Sequence, residues 1–281
     1  MDKLSTKNKK DLNPIGIGTW MIGGGWDSEL SLAYADYDND QESIEAIQYS
    51  IKNGQNHIDT AFLYGTGHSE EVVGEAIKPF VRGDLFIASK VWKTHSQRKA
   101  IVPHVEGMLK RLQTDYLDLI YIHSSKNPFP MEEYIAGLND VVDLGLAKGL
   151  AVSNFNLEEL KQAESLSKHP ILANQILYNI LERKEASNDL LSYCRRKNIA
   201  IVAYSPVERG LLGENCNNEV VLGLAQKYGK TPAQIALNWL ISQKITYAIP
   251  KAIQKEHIDQ NIDVSNFTLQ EEDIVRLNQL A

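Results

Sequence analysis

His57-Ile58-Asp59-Thr60-Ala61-Phe62-Leu63-Tyr64-Gly65 is the stretch on which the fold turns. Ile58 and its neighbours make a short buried strand that delivers a carboxylate, Asp59, at its C-terminal end. Tyr64 follows five residues later, then Gly65 and a turn at Thr66-Gly67. A helix is expected from Ser69, with Glu70, Glu71 and Glu75 in its first two turns and Val72, Val73, Ala76 and Ile77 between them. A charged residue at one strand end is often only a surface turn residue. What decides is whether other strands deliver partners to the same place.

Outward from this stretch the pattern repeats. Upstream, a strand over 15–20 runs into Gly23-Gly24-Gly25-Trp26. No periodicity follows until about Asp40, and connections of about twenty residues are usually functional in compact proteins. A helix fits 41–53, with Ile44, Ile47 and Ile51 as its apolar line and Asn53-Gly54 as its stop. Downstream, strands are expected at 85–90, 117–122, 148–152, 171–175, 199–203 and 247–249. Helices are expected at 98–112, 131–144, 157–166, 184–197, 217–228, 232–243, 255–261 and 269–279. Thr231-Pro232 supplies a cap and first-turn pair for one of them.

Eight apolar strands, each followed by helix, argue a parallel sheet covered by helices. In a chain of 281 residues they point to an α/β fold, a single (β/α)8 TIM barrel spanning 1–281 with a flexible leader at 1–11. A doubly wound sheet would want a glycine fingerprint turning straight from strand into helix. Gly16-Ile17-Gly18-Thr19-Trp20-Met21 does not supply one. Gly16 and Gly18 are instead expected to make room for close backbone packing.

Composition sets outer limits. With 43% hydrophobic and 23% charged residues the chain is an ordinary globular protein, and its formal net charge of −7 disfavours nucleic acid or an anionic membrane as partner. Cys194 and Cys216 have no metal-ligand spacing and imply no disulfide framework. No run is apolar enough for a membrane span, and the lysine-rich start has no apolar segment behind it. A cytoplasmic monomer is expected.

In a barrel the strand ends converge on one rim, and the chemistry sits there. The residues at those ends are Asp59, Lys90, His123, Ser153-Asn154, Gln175, Tyr204 and Lys251. A lysine that finishes a buried strand needs a carboxylate, since an unpaired buried ammonium is costly. Asp59 is one strand away. Such a pair serves either as a structural ion pair or as a charge beside Tyr64, where it would lower the phenol's pKa and let it exchange a proton nearer neutrality. His123 is either a satisfied core residue or a donor to a carbonyl oxygen. Zinc and a serine nucleophile have no support, for want of ligand spacing and of a G-x-S-x-G elbow.

From about residue 12 to 280 the chain resembles the aldo-keto reductases, NAD(P)H-dependent barrel enzymes. The resemblance rests on Asp59-Thr60-Ala61-x-x-Tyr64-Gly65, His68-Ser69-Glu70-x-x-x-Gly74, Ile87-Ala88-Ser89-Lys90-Val91-Trp92 and Leu117-Asp118-Leu119-Ile120-Tyr121-Ile122-His123. Val152-Ser153-Asn154-Phe155, Asn174-Gln175, Ala203-Tyr204-Ser205-Pro206 and Ile249-Pro250-Lys251 follow in the family's order. It implies a catalytic tetrad of Asp59, Tyr64, Lys90 and His123, with Tyr64 as proton donor in reduction. It implies that Ser153, Asn154 and Gln175 hold the nicotinamide carboxamide and that the ring stacks on Tyr204. Further cofactor contacts are implied for Gly18, Thr19, Trp20, Asp59, Ser205, Pro206, Leu212, Lys251, His257 and Asn261. The substrate pocket would be walled by Trp20, Trp92 and Ser124, with Trp26 and Tyr37 as further candidates.

Three departures from the family pattern matter. Strong NADPH binders often read Lys-Ser and then an arginine, whereas Lys251 is followed by Ala252 and the arginine position is His257. NADP(H) is therefore expected with weakened discrimination against NAD(H), Lys251 and Lys255 supplying the remaining charge. Ser124-Ser125 replaces a tryptophan, which implies a wider, more polar pocket and small polar substrates. The chain stops after its last helix and the 206–216 segment is short, which implies an open site. Two rivals stand beside this: a regulatory barrel subunit that binds NADP(H) with little turnover, and an isomerase or aldolase using Lys90 as a Schiff base.

Overall fold

The structure, a computed structural model, describes residues 12–27 and 32–280, with the side chains of Trp26, Asp27 and Arg209 set aside. The leader expected at 1–11 and the pocket wall expected of the Trp26 side chain lie outside what is described. In chain order the strands are β1 (Ile17–Gly18), β2 (Gly24–Asp27), β3 (Leu32–Ala35), β4 (His57–Asp59), β5 (Phe86–Val91), β6 (Leu119–Ile122), β7 (Leu150–Ser153), β8 (Ile171–Leu177), β9 (Ala200–Tyr204) and β10 (Thr246–Ala248). Eight of them form one sheet in the order β1-β4-β5-β6-β7-β8-β9-β10. Every pairing in that sheet is parallel.

The sheet curls until its two ends bond to each other. Gly16 N–H donates to Ala248 O at 2.8 Å, Ala248 N–H to Pro14 O at 2.9 Å and Gly18 N–H to Pro250 O at 3.0 Å. Glycine is needed at this seam. A Cβ on Gly18 would lie 2.3 Å from Ile249 O, so any side chain would push the first strand off the last. The close packing expected of Gly16 and Gly18 is what the structure has.

The helices are α1 (Asp40–Lys52), α2 (His68–Ile77), α3 (Arg98–Leu112), α4 (Met131–Asp143), α5 (Leu157–Leu166), α6 (Asn188–Lys197), α7 (Glu219–Tyr228), α8 (Pro232–Ser242), α9 (Lys255–Asp263) and α10 (Glu271–Asn278). Their starts follow local chemistry. Asn156 and Thr231 each close a full capping box at the head of α5 and α8. Helix α6 begins at Asn188 behind a Ser187 cap, not at 184, because Lys184 N–H donates to Glu182 Oε1 and Ala186 N–H to Arg183 O, which holds that segment as a turn.

Strand alternation divides the core in two. Ile58, Ile87, Ile120, Val152, Ile176, Ile201 and Ala248 face outward and pack with the helices. Phe86, Ala88, Leu119, Tyr121, Ala151, Ala173, Val202 and Tyr247 face inward and fill the barrel. The next inward positions, two residues further along each strand, are Lys90, His123, Ser153, Gln175 and Tyr204. Period two alone therefore places these polar side chains in one ring above the apolar plug.

One expectation fails in the long first connection. It contains an antiparallel hairpin, β2 with β3, pairing Gly25 with Tyr34 and Trp26 with Ala33. Its pattern is inverted for a strand: Leu32 and Tyr34 are exposed while Ala33 and Ala35 are half-buried. That inversion, beside a glycine run, hides it from hydrophobic periodicity.

Candidate active site

Lys90 is the centre of the ring. It ends the inward face of β5, fully buried, and uses each of its three N–H donors. Nζ donates to Asp59 Oδ1 at 2.5 Å, to Thr60 O at 2.9 Å and to Tyr64 Oη at 3.2 Å. Asp59, at the end of β4, is as deeply buried. Its second oxygen accepts from Gln175 Nε2 at 2.8 Å. The carboxylate thus joins two neighbourhoods: the ammonium and phenol on one side, the amides of β7 and β8 on the other.

Tyr64 reaches the ring through backbone that few sequences tolerate. Gly65 and Thr66 follow it with φ of 57° and 55°. A Cβ on Gly65 would sit 1.9 Å from Gly23 O, so this glycine both takes the left-handed conformation and lets the hairpin lie against the turn. The Tyr64 ring meets the edges of Trp20 and His123 at centroid distances of 5.0 and 5.9 Å, and Trp92 meets His123 at 5.1 Å. Phenol and imidazole therefore share one aromatic enclosure.

The electrostatics differ from expectation in one respect. Burial pushes the Tyr64 phenol above its ordinary pKa; Lys90 pulls it down, as the sequence implied, but does not outweigh burial. Burial also opposes the Lys90 ammonium, yet Asp59 and Tyr64 together hold its pKa above the usual value. His123 is pushed well below its usual range by burial, with Lys90 adding to the effect, so the imidazole is neutral near pH 7.

The polar groups of β7, β8 and β9 form a second cluster. Ser153 Oγ donates to Gln175 O at 3.0 Å. Asn154, at φ 61°, sends Nδ2 to Ser153 Oγ at 3.1 Å and accepts on Oδ1 from Tyr204 Oη at 3.0 Å. Tyr204 is thereby fixed by its hydroxyl with its ring half-exposed. Ser205 follows at φ 49°, its carbonyl accepting from Asn179 Nδ2 at 3.1 Å, while the same amide reaches Glu208 Oε2. Pro206 is buried behind it.

Other expected contacts are placed differently. Thr19 is buried, with both its amide and Oγ1 donating to Asp59 O at 3.1 Å, so its side chain supports the strand end. Gly18 is at the seam. Leu212 is fully buried in the outer core. Ser124 Oγ accepts from Lys126 N at 3.1 Å, closing a local turn. Tyr37 lies 4.0 Å from the His68 ring, whose nitrogens bond Asp40 and Glu71. Among the cations expected near a cofactor, Lys251 is exposed. Lys255 is paired with Asp259 at 2.7 Å, and His257 stands 3.5 Å from Glu214. Asn261 is buried on α9.

One group next to the ring was not anticipated. Glu70 is fully buried, accepting from Ser89 Oγ at 2.5 Å and from Arg111 Nε at 2.7 Å. Arg111 also fills the space beside Gly67 and lies 5.2 Å over the Phe62 ring. The turn carrying Tyr64 is thus pinned on both sides of the phenol by a side chain of α3. Sequence alone reads Glu70 as a first-turn acid complementing the helix dipole. Its partner lies 41 residues away, which local pattern cannot reveal.

A parallel α/β barrel with an acid–base cluster and an amide–hydroxyl cluster joined through one carboxylate is thus the class that fold and site define. The Aldo/keto reductase family matches over residues 14–281, and the chain belongs to it. A thermostable aldo-keto reductase solved with the inhibitor epalrestat superposes with a TM-score of 0.90 at 40% identity, covering 97% of this chain and 96% of that one. An aldo-keto reductase of Klebsiella pneumoniae in complex with NADPH gives 0.84 at 31% identity, covering 96% and 91%. The NAD(P)H-dependent 6'-deoxychalcone synthase of Glycine max is 31% identical, over 88% of this chain and 84% of its own length. Among the described residues no helix is long and apolar enough to cross a membrane, and no group of three or more His, Cys, Asp or Glu could hold a metal ion.

Proposed function

We propose that the protein reduces aldehydes or ketones to alcohols, reversibly, with NADPH or NADH, at the C-terminal ends of its barrel strands. The observation that carries this is the Lys90 ammonium, buried and fully engaged, in contact with both Asp59 and the Tyr64 hydroxyl. The nicotinamide cofactor, when bound, supplies the hydride. The protein supplies the proton and the positions. Tyr64 gives its proton to the carbonyl oxygen. Lys90, kept protonated by Asp59, steadies the phenolate that remains. Neutral His123 orients the carbonyl by hydrogen bonding to it.

The residues present fit such a cofactor. Ser153, Asn154 and Gln175 offer the mixed donors and acceptors that an amide needs, beside a half-exposed aromatic face on Tyr204. Lys251 offers one exposed cation for a phosphate. Lys255 is engaged by Asp259 and His257 stands by a carboxylate, so the preference for NADPH over NADH is expected to stay below about a hundredfold, or ~2.7 kcal/mol. Matched dissociation constants for the two cofactors test this, and a larger preference would overturn it. Lys90 does not suit a Schiff base, being buried and held as ammonium; borohydride trapping should leave it unmodified. A monomeric single barrel in the cytoplasm fits the acidic surface and the free Cys194 and Cys216.

The deciding experiment is Tyr64→Phe with a generic aldehyde. The chemical step should fall by about 10²–10⁴ while NADPH affinity stays within about twofold. A variant that keeps its rate would sink the assignment.

A further inference from the structure

The hairpin adds something that the acid–base cluster does not explain. Ten large hydrophobic residues are exposed among those described, and five of them fall between positions 20 and 37. Tyr37 lies against the His68 ring at a tilt of 44°. The other four are Trp20 at 41% exposure, Met21 at 50%, Leu32 at 59% and Tyr34 at 46%. Leu32 and Tyr34 alternate on one face of β3. A Cβ on Gly25 would lie 2.8 Å from Tyr34 Oη and 3.2 Å from Met21 Cε, so both side chains lie over that glycine. Met21 adjoins Trp20, whose ring touches Tyr64. On the other side, a Cβ on Gly24 would lie 2.9 Å from Gly65 Cα, the residue next to the phenol. Exposed apolar side chains thus lead from the Tyr64 ring through Trp20 and Met21 to Tyr34, with Leu32 on the same face of β3. Scattered exposed apolar side chains need no explanation, but a contiguous patch rooted in an active site does.

We infer that Met21, Leu32 and Tyr34, continuing from Trp20, form an apolar shelf that binds the body of a carbonyl substrate with a long aliphatic or aromatic tail. This rests on the reductase assignment and replaces the small polar substrate implied by Ser124, whose hydroxyl is turned to a local amide. The carbonyl lies at Tyr64 and His123, and the tail lies along the hairpin. Because the shelf is open on one side, each methylene loses about half its surface to the protein.

The test is a homologous series of aldehydes from propanal to octanal with saturating NADPH. The ratio of kcat/KM between octanal and propanal should reach about thirtyfold, about twofold per methylene laid on the shelf. The double variant Leu32→Ser/Tyr34→Ser should reduce that ratio below about fivefold. Leu222→Ser, the same type of change on the exposed face of α7, should leave the ratio intact. A flat series in the native protein, or an unchanged ratio in the double variant, would overturn the shelf. Binding of octanamide and propanamide, followed by tryptophan fluorescence, reads the same surface without turnover. Tighter octanamide binding that weakens in the double variant supports the shelf even if no aldehyde is reduced, an outcome that would count against the reductase assignment alone.

Discussion

His57 is fully buried at the start of β4 and neither ring nitrogen has a hydrogen-bond partner. Phe86 and Tyr247 press on it at centroid distances of 5.3 and 6.1 Å. Burial lowers its pKa from 6.5 to about 4, against a partly compensating pull from Asp59 and Asp118 and a further push down from Lys90. The sign follows from where the proton binds. Between pH 6.5 and 4 the unfolded chain takes a proton that the native ring refuses, so stability falls as pH falls. A shift of ~2.5 units corresponds to about 3.4 kcal/mol when complete, and about 3 kcal/mol of it is lost by pH 4. His57→Leu removes the titration. Denaturant unfolding of both proteins at pH 7.5, 6, 5 and 4 isolates it, because other acid-sensitive groups, such as His104, remain in each. The variant should gain about 3 kcal/mol relative to the native protein between pH 7.5 and 4. Curves that stay parallel within about 1 kcal/mol would refute the assignment.

Three other outcomes are expected. Because burial raises the Tyr64 pKa, the phenol stays protonated through neutrality. Reduction should be flat from about pH 6 to 9, whereas alcohol oxidation should rise about tenfold per pH unit; a fall in reduction centred below about pH 8 would contradict this. Arg111→Met leaves the Glu70 carboxylate buried without its guanidinium and should cost about 3 kcal/mol in unfolding experiments, much of it recovered in Arg111→Met/Glu70→Gln. No recovery in the double variant would place the cost elsewhere. Gly18→Ala forces a methyl against Ile249 O and should lower stability by about 1–3 kcal/mol, read as a drop in denaturant midpoint; an unchanged midpoint would mean the seam can yield.

The ring of polar side chains was legible because strand period is rigid. Once β5 was recognised, Phe86, Ala88 and Lys90 had to share a face, and the same rule aligned Asp59, His123, Ser153, Gln175 and Tyr204. The family motifs added roles to positions already converging. Features set by depth or by distant partners were not legible. How far burial outweighs Lys90 at Tyr64 depends on surrounding volume, which no motif encodes. The Glu70–Arg111 pair joins two helices that meet only after folding. The burial of Thr19 and Leu212 likewise depends on packing that no motif encodes. The hairpin escaped because its apolar residues point outward, against the rule used to find strands.

The seam has a kinetic side. The bonds between Pro14–Gly18 and Ala248–Pro250 join segments separated by most of the chain, so they form only after nearly every intervening unit exists. Until then β1 and β10 are sheet edges with unsatisfied backbone groups, which are templates for pairing between molecules. Synthesis at about 5–20 residues per second leaves that first edge unpaired with its final partner for ten seconds or more. Slow closure and a concentration-dependent loss during refolding are the expected consequences of the contact that completes the native sheet.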